Sequence, residues 1–107
     1  MTRNGPAADS GHDRMASASG KRIVEMVWEE LTPRELLSPA AFENALVVHM
    51  AMAGSTNAMI HLVAMARRAG VPLSLDDFDR VSGEVPVLAD IRPSGQFLME
   101  DFFYAGG

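Results

Sequence analysis

The residues whose types and spacing suit chemistry in this 107-residue chain are Gly54, Ser55, Thr56 and Asn57. Two hydroxyls and an amide stand there, between two long apolar runs. A helix starting at this point leaves its first backbone N–H groups unpaired, and with the hydroxyls they suit an anionic group. The same pattern also makes an ordinary helix N-cap, so its meaning depends on the rest of the chain.

Other candidates have simpler readings. Asp76, Asp77 and Asp79 lack the alternating acidic positions and central glycine of a calcium loop. Carboxylates in a first helical turn are instead explained by the helix dipole. His49 and His61 lie on apolar helical runs and read as core histidines, with no Cys or Glu nearby to complete a site. His12 falls in the polar start of the chain. Glu100 and Asp101 are adjacent, and adjacent helical residues point in different directions, which argues against joint acid–base work. The eight methionines are mostly interleaved with Ala and Val at helical spacing and read as core. There is no Gly-rich phosphate loop and no Ser/His/Asp arrangement. Cysteine is absent, which excludes disulfides, zinc–thiolate sites, thiol nucleophiles and cysteine-held iron–sulfur clusters within the chain.

The elements that must position these residues follow from periodicity. Residues 1–12 are rich in turn formers and read as irregular, and residues 13–107 as a partial domain. A helix is predicted from about Arg14 to Leu31, weakened at Gly20 so that its firm part begins near Lys21. Thr32-Pro33 ends it, and a short turn of helix follows through Leu37. Ser38-Pro39 is an N-cap with proline at the first helical position. That helix runs to Ala53 and is stopped by Gly54. The next starts at Ser55 or Thr56 and ends at Ala69, with Gly70 beyond its end. Ser74-Leu75-Asp76-Asp77 has capping-box spacing with Asp in place of Glu, opening a helix to about Ser82. Residues 85–91 are the one strand candidate, restricted by Pro86 to an edge or a start. A last short helix carries Phe97, Leu98, Phe102 and Tyr104. The chain thus reads as mostly α-helical, with about four to five helices and one short strand.

Composition sets outer bounds. With 48% apolar and 21% charged residues the chain is of globular type, and a net charge of −5 with scattered Lys21, Arg22, Arg67 and Arg68 argues against a nucleic-acid surface. No apolar run approaches the roughly 18 residues of a membrane span, and the polar start resembles no secretory signal, so a cytoplasmic location is expected. The two central helices are apolar nearly all round: Leu46, Val47, Val48 and Met50 in the first, Met59, Ile60, Leu62 and Val63 in the second. Such helices are usually buried on all faces, and a chain of this length has too little other material to wrap both. A piece of something larger, or a partner in an assembly, is the physical expectation.

The order of the segments resembles one family: the dihydroxy-acid, phosphogluconate and sugar-acid dehydratases. The resemblance is carried by Gly20-Lys21-Arg22-Ile23-Val24-Glu25, Ala41-Phe42-Glu43-Asn44-Ala45 and Ala53-Gly54-Ser55-Thr56-Asn57-Ala58 with His61-Leu62. It continues through Leu75-Asp76-Asp77-Phe78-Asp79-Arg80, Val85-Pro86-Val87-Leu88, Pro93-Ser94-Gly95 and Met99-Glu100-Asp101 to Ala105-Gly106-Gly107. The wording of residues 26–33 and 102–107 is closer to the sugar-acid branch, of arabinonate or xylonate type. Ala53 is a departure, because the family often has a second glycine there.

The resemblance implies an interior fragment of the N-terminal α/β domain of a hydro-lyase that converts a 2,3-dihydroxy acid to a 2-keto acid. It further implies a parent enzyme, itself a homo-oligomer, with an iron–sulfur cluster, Mg2+ and a catalytic serine, all supplied by segments outside this chain. No catalytic or metal residue is therefore carried over, and Gly54, Ser55, Thr56 and Asn57 are expected to support a substrate pocket. The expected partner is the remainder of the dehydratase domain or a homologous subunit, with neither nucleic acid nor membrane involved. Alone, the chain is expected to bind no cluster and to dehydrate nothing. The other reading is a non-catalytic helical module derived from such an enzyme and used for assembly.

Overall fold

The computed structural model describes residues 10–107. Six helices follow in order among them: α1 (Ser10–Trp28), α2 (Pro33–Leu36), α3 (Pro39–Ala51), α4 (Thr56–Ala69), α5 (Leu75–Glu84) and α6 (Met99–Tyr104). Most boundaries lie where the capping chemistry puts them. Ser38 Oγ accepts from Ala41 N–H at 3.2 Å, with Pro39 at the first helical position. The Asp77 carboxylate accepts from Ser74 N–H at 2.8 Å, so Asp does serve in this capping box.

Two expectations are corrected, and the helix expected across Gly20 is found there. Helix α1 begins at Ser10, so Ser10, Gly11 and His12 form its first turn rather than an irregular segment; residues 1–9 of that segment lie outside the described residues. The helix passes through Gly20, which stands in open space, because one glycine costs only about 1 kcal/mol within a long helix. The strand expected over residues 85–91 is extended chain without a ladder: its sole pairing among the described residues is a parallel bridge from Ile91 to Phe97. Two of its amides turn to the end of α3, where Leu88 N–H and Ala89 N–H both donate to Ala51 carbonyl oxygen (2.7 and 3.3 Å).

Among the described residues four helices end in the same closed form, with a 6→1 bond around a residue of positive φ. These pairs are Leu31 to Met26 around Glu30, Gly54 to His49 around Ala53, Val71 to Ala66 around Gly70, and Gly107 to Phe102 around Gly106. Gly54 is thus not the left-handed stop of α3. That position is held by Ala53, at φ 49°.

The core sits where α3 and α4 pack on α5. Leu46, Phe78 and Val81 are fully buried, with Met50, Met59, Leu62, Val63, Leu73 and Val85 packed against them. Glu43 and Arg80 bridge α3 and α5 at the solvent edge, at 3.1 Å. Elsewhere the packing stops. Helix α1 buries no residue, and Trp28 at its end is 84% exposed. Ile60 on α4 and Leu88 in the extended segment are also exposed. The accessible surface is 8038 Å² for 11.5 kDa, against about 5,800 Å² for a compact monomer of that mass. The radius of gyration, 15.6 Å, likewise exceeds the roughly 13 Å of a compact chain of this length. No helix of the described residues is long and apolar enough to cross a membrane.

Candidate functional site

The turn from α3 into α4 is built from its backbone outward. Met52, Ala53 and Gly54 donate N–H to Val48, Met50 and His49 carbonyls, at 3.0, 3.1 and 2.9 Å. This folds the chain back over the last turn of α3. The His49 imidazole then lies directly against Gly54, where a Cβ would collide with the ring. His49 also meets Phe78 of the core, ring centroids 6.2 Å apart and planes nearly perpendicular. Glycine is required at 54 for room rather than for dihedral freedom.

A second segment clamps the turn from outside. Ser94 Oγ donates to Ala53 carbonyl oxygen at 3.0 Å, while Ala51 carbonyl holds Leu88 and Ala89. Ser94 is itself fixed in a tight loop with a cis Arg92–Pro93 bond. In that loop Gly95 N–H donates to Ile91 carbonyl (2.8 Å), and Asp90 Oδ1 accepts from Gln96 N–H (3.2 Å). Gly95 packs on the Asp90 and Ile91 backbone so closely that no side chain fits. Between Ala53 and this loop lies a concavity of about 410 Å³, with Asp90 and Ser94 on its wall.

Beyond the turn, Ser55 is extended (φ −74°, ψ 151°) and caps α4 in backbone conformation only. Its carbonyl accepts from Ala58 N–H at 3.1 Å, but its hydroxyl does not bond to the helix. Among the described residues, the side chains of Ser55, Thr56 and Asn57 have no hydrogen-bond partner. Thr56 and Asn57 are exposed and Ser55 is half-buried. The structure therefore brings the four residues together at a helix start with their polar atoms unspent. It does not close a pocket over them, since none of the four lines the adjacent concavity.

The remaining candidates are used structurally or stand apart. Ser74 N–H, and then its hydroxyl, hold the Asp77 carboxyl below the usual carboxylate range. Asp101 accepts from Leu98 N–H at 2.8 Å as a cap of α6. Arg22, bonded to both oxygens of Glu29, holds that carboxyl low on the surface of α1. His61 is exposed on α4. Among the described residues no three His, Cys, Asp or Glu side chains cluster so as to hold a metal ion. Sequence reasoning missed His49 as the residue over Gly54, and Ser94 as a clamp. Ser94 had a signal, because Pro93-Ser94-Gly95 stands out as a turn; for His49 only contact across five residues reveals the role.

Comparison with known proteins agrees with this arrangement of segments. Residues 2–107 match the family described as dihydroxy-acid/6-phosphogluconate dehydratase N-terminal. The L-arabinonate dehydratase of Rhizobium leguminosarum bv. trifolii (strain WSM2304) is 52% identical over 102 residues, which cover 95% of this chain and 18% of that protein. The 6-deoxy-6-sulfo-D-gluconate dehydratase of Pseudomonas putida is 50% identical with the same coverage. The dihydroxy-acid dehydratase of Nocardioides sp. (strain ATCC BAA-499 / JS614) is 46% identical, again with 95% and 18% covered. The chain thus spans 18% of the length of these curated relatives. It belongs to the dihydroxy-acid/6-phosphogluconate dehydratase family, matching its N-terminal region.

Proposed function

We propose that this chain serves as part of a hydro-lyase that dehydrates a 2,3-dihydroxy acid of the sugar-acid class to a 2-keto acid. The observation that carries the reading is 52% identity to an L-arabinonate dehydratase across 95% of the chain. In that reaction the proton on C2 and the hydroxyl on C3 leave as water, and the resulting enol becomes the ketone. The groups assigned to the parent enzyme do not fit the residues here. An iron–sulfur cluster needs thiolates, and the chain has no cysteine. Magnesium needs convergent oxygen ligands, and no such acidic cluster occurs among the described residues. No step of the reaction is therefore assigned to these residues through either group.

What this chain supplies is binding. The first N–H groups of α4 and the unspent hydroxyls of Ser55 and Thr56 form a donor cluster at the positive end of the helix dipole, suited to an oxygen-rich anion. Gly54 beneath His49, and Ser94 on the Ala53 carbonyl, keep that cluster in place. The test uses the L-arabinonate dehydratase with its matched 102-residue segment exchanged for that of this chain. Ser55→Ala with Thr56→Ala should raise KM at least about tenfold, because two hydrogen bonds to a charged group are lost. Thermal stability should not change, since neither hydroxyl caps the helix. Unaltered turnover and KM would reject the role.

A further inference from the structure

We propose that the outer face of α4 is the seat of a helix from the part of the dehydratase that this chain does not contain, a helix with an apolar ridge and a carboxylate at one end. The proposal rests on the dehydratase reading above. His61, Ala64, Met65 and Arg68 recur at spacings of three and four, which puts them on one stripe of α4. The opposite face, carrying Met59, Leu62 and Val63, already packs on the core. Ala64 and Met65 put apolar surface on this stripe too, between His61 and Arg68, and all four side chains stand exposed.

The stripe is also shaped as a seat. It forms one wall of a groove of about 930 Å³ against α2, closed on the other side by Leu37 and Arg34. His61 and Met65 continue into a second depression of about 700 Å³ against α3. The two depressions share these side chains and form one trough along the helix. Much of its lining is apolar, with Leu37, Val48, Ala64 and Met65 among it, which suits the ridge of a polypeptide.

Charge selects the occupant further. Among the described residues Arg34 and Arg68 have no ion pair, although Arg22 and Arg80 both find glutamates. No acidic residue lines either depression. A carboxylate on the incoming helix would meet both guanidinium groups, and the family relatives have more than four-fifths of their length outside the matched region to supply it.

The test follows oxidation of Met65 by hydroxyl radicals, read by mass spectrometry, in the chimeric L-arabinonate dehydratase and in the 107-residue chain. Met65, half-exposed in the chain, should oxidise about tenfold more slowly in the chimera. Arg34→Glu with Arg68→Glu in the chimera should restore fast oxidation. A chimera that dehydrates L-arabinonate while Met65 oxidises as fast as in the lone chain overturns the seat and leaves the dehydratase reading intact. Slow oxidation in a chimera without activity supports the seat and counts against that reading. Protection of Met65 in the lone chain that grows with concentration, together with doubled mass by light scattering, makes a second copy the occupant and overturns the proposal. If the chimera fails to fold, the tagged chain is co-expressed with the two flanking segments of the relative. Capture of a segment with Met65 protected supports the seat, and capture of neither overturns it.

Discussion

At Gly54 the constraint is space, and at Ala53 it is the sign of φ. An L-residue in the left-handed region costs roughly 1–2 kcal/mol, which glycine avoids at some entropic expense in the unfolded chain. Ala53→Gly should therefore stabilise the protein by about 0.5–1 kcal/mol in urea denaturation. Gly54→Ala works the other way. Its Cβ would displace the His49 ring from Phe78, and a loss of about 1–3 kcal/mol is expected from overpacking. If Gly54→Ala melted at the same temperature as the parent chain, the ring-on-backbone contact would carry no energy.

The elements differ in how they are secured. Helix α5 is held by a capping carboxylate and by the apolar residues Phe78 and Val81, both 1% exposed. Asp77 has a folded pKa below its unfolded one, so its contribution is present above the ordinary carboxylate range and is lost as pH falls through the folded value. Asp77→Asn should accordingly flatten the fall in thermal midpoint below about pH 4, leaving a lower but less pH-dependent stability. Phe78→Ala removes the largest side chain fully buried among the described residues, at an expected cost of about 3–5 kcal/mol. That is comparable to the stability of a small domain, so cooperative unfolding followed by circular dichroism should disappear.

The same elements explain what was legible in the sequence. Ser38-Pro39, Ser74 with Asp77, and Gly70 are local devices whose chemistry acts within four residues, and each marks a boundary in the fold. The strand at residues 85–91 misled because apolar extended chain says nothing of who pairs with it; here its amides go to a helix end. Ala53 misled because alanine is a strong helix former and gives no sign of a left-handed turn. The location of the candidate site was readable from Ser55-Thr56-Asn57, but not the fact that its hydroxyls do no capping.

For the whole molecule, surface decides the behaviour. Val24, Val27 and Trp28 on α1, Ile60 on α4 and Leu88 all stand more than half exposed. Isolated in solution, the chain should enhance the fluorescence of an apolar dye strongly, as surfaces built for partners do. It should show neither iron–sulfur absorbance on reconstitution nor formation of a 2-keto acid from L-arabinonate. Weak dye binding would mean that the exposed helices find cover by rearranging on each other. Cluster absorbance or product formation would mean that the chain carries reactive groups its residue types do not provide.

One carbonyl gathers much of this architecture. The Ala51 oxygen receives Leu88 and Ala89 together, and so ties an extended segment without a strand ladder to the turn that carries the donor cluster. Those two amides are natural gauges of the turn: their uptake of deuterium should slow in step when an anion settles at the start of α4, and quicken in step when Ser94 is removed.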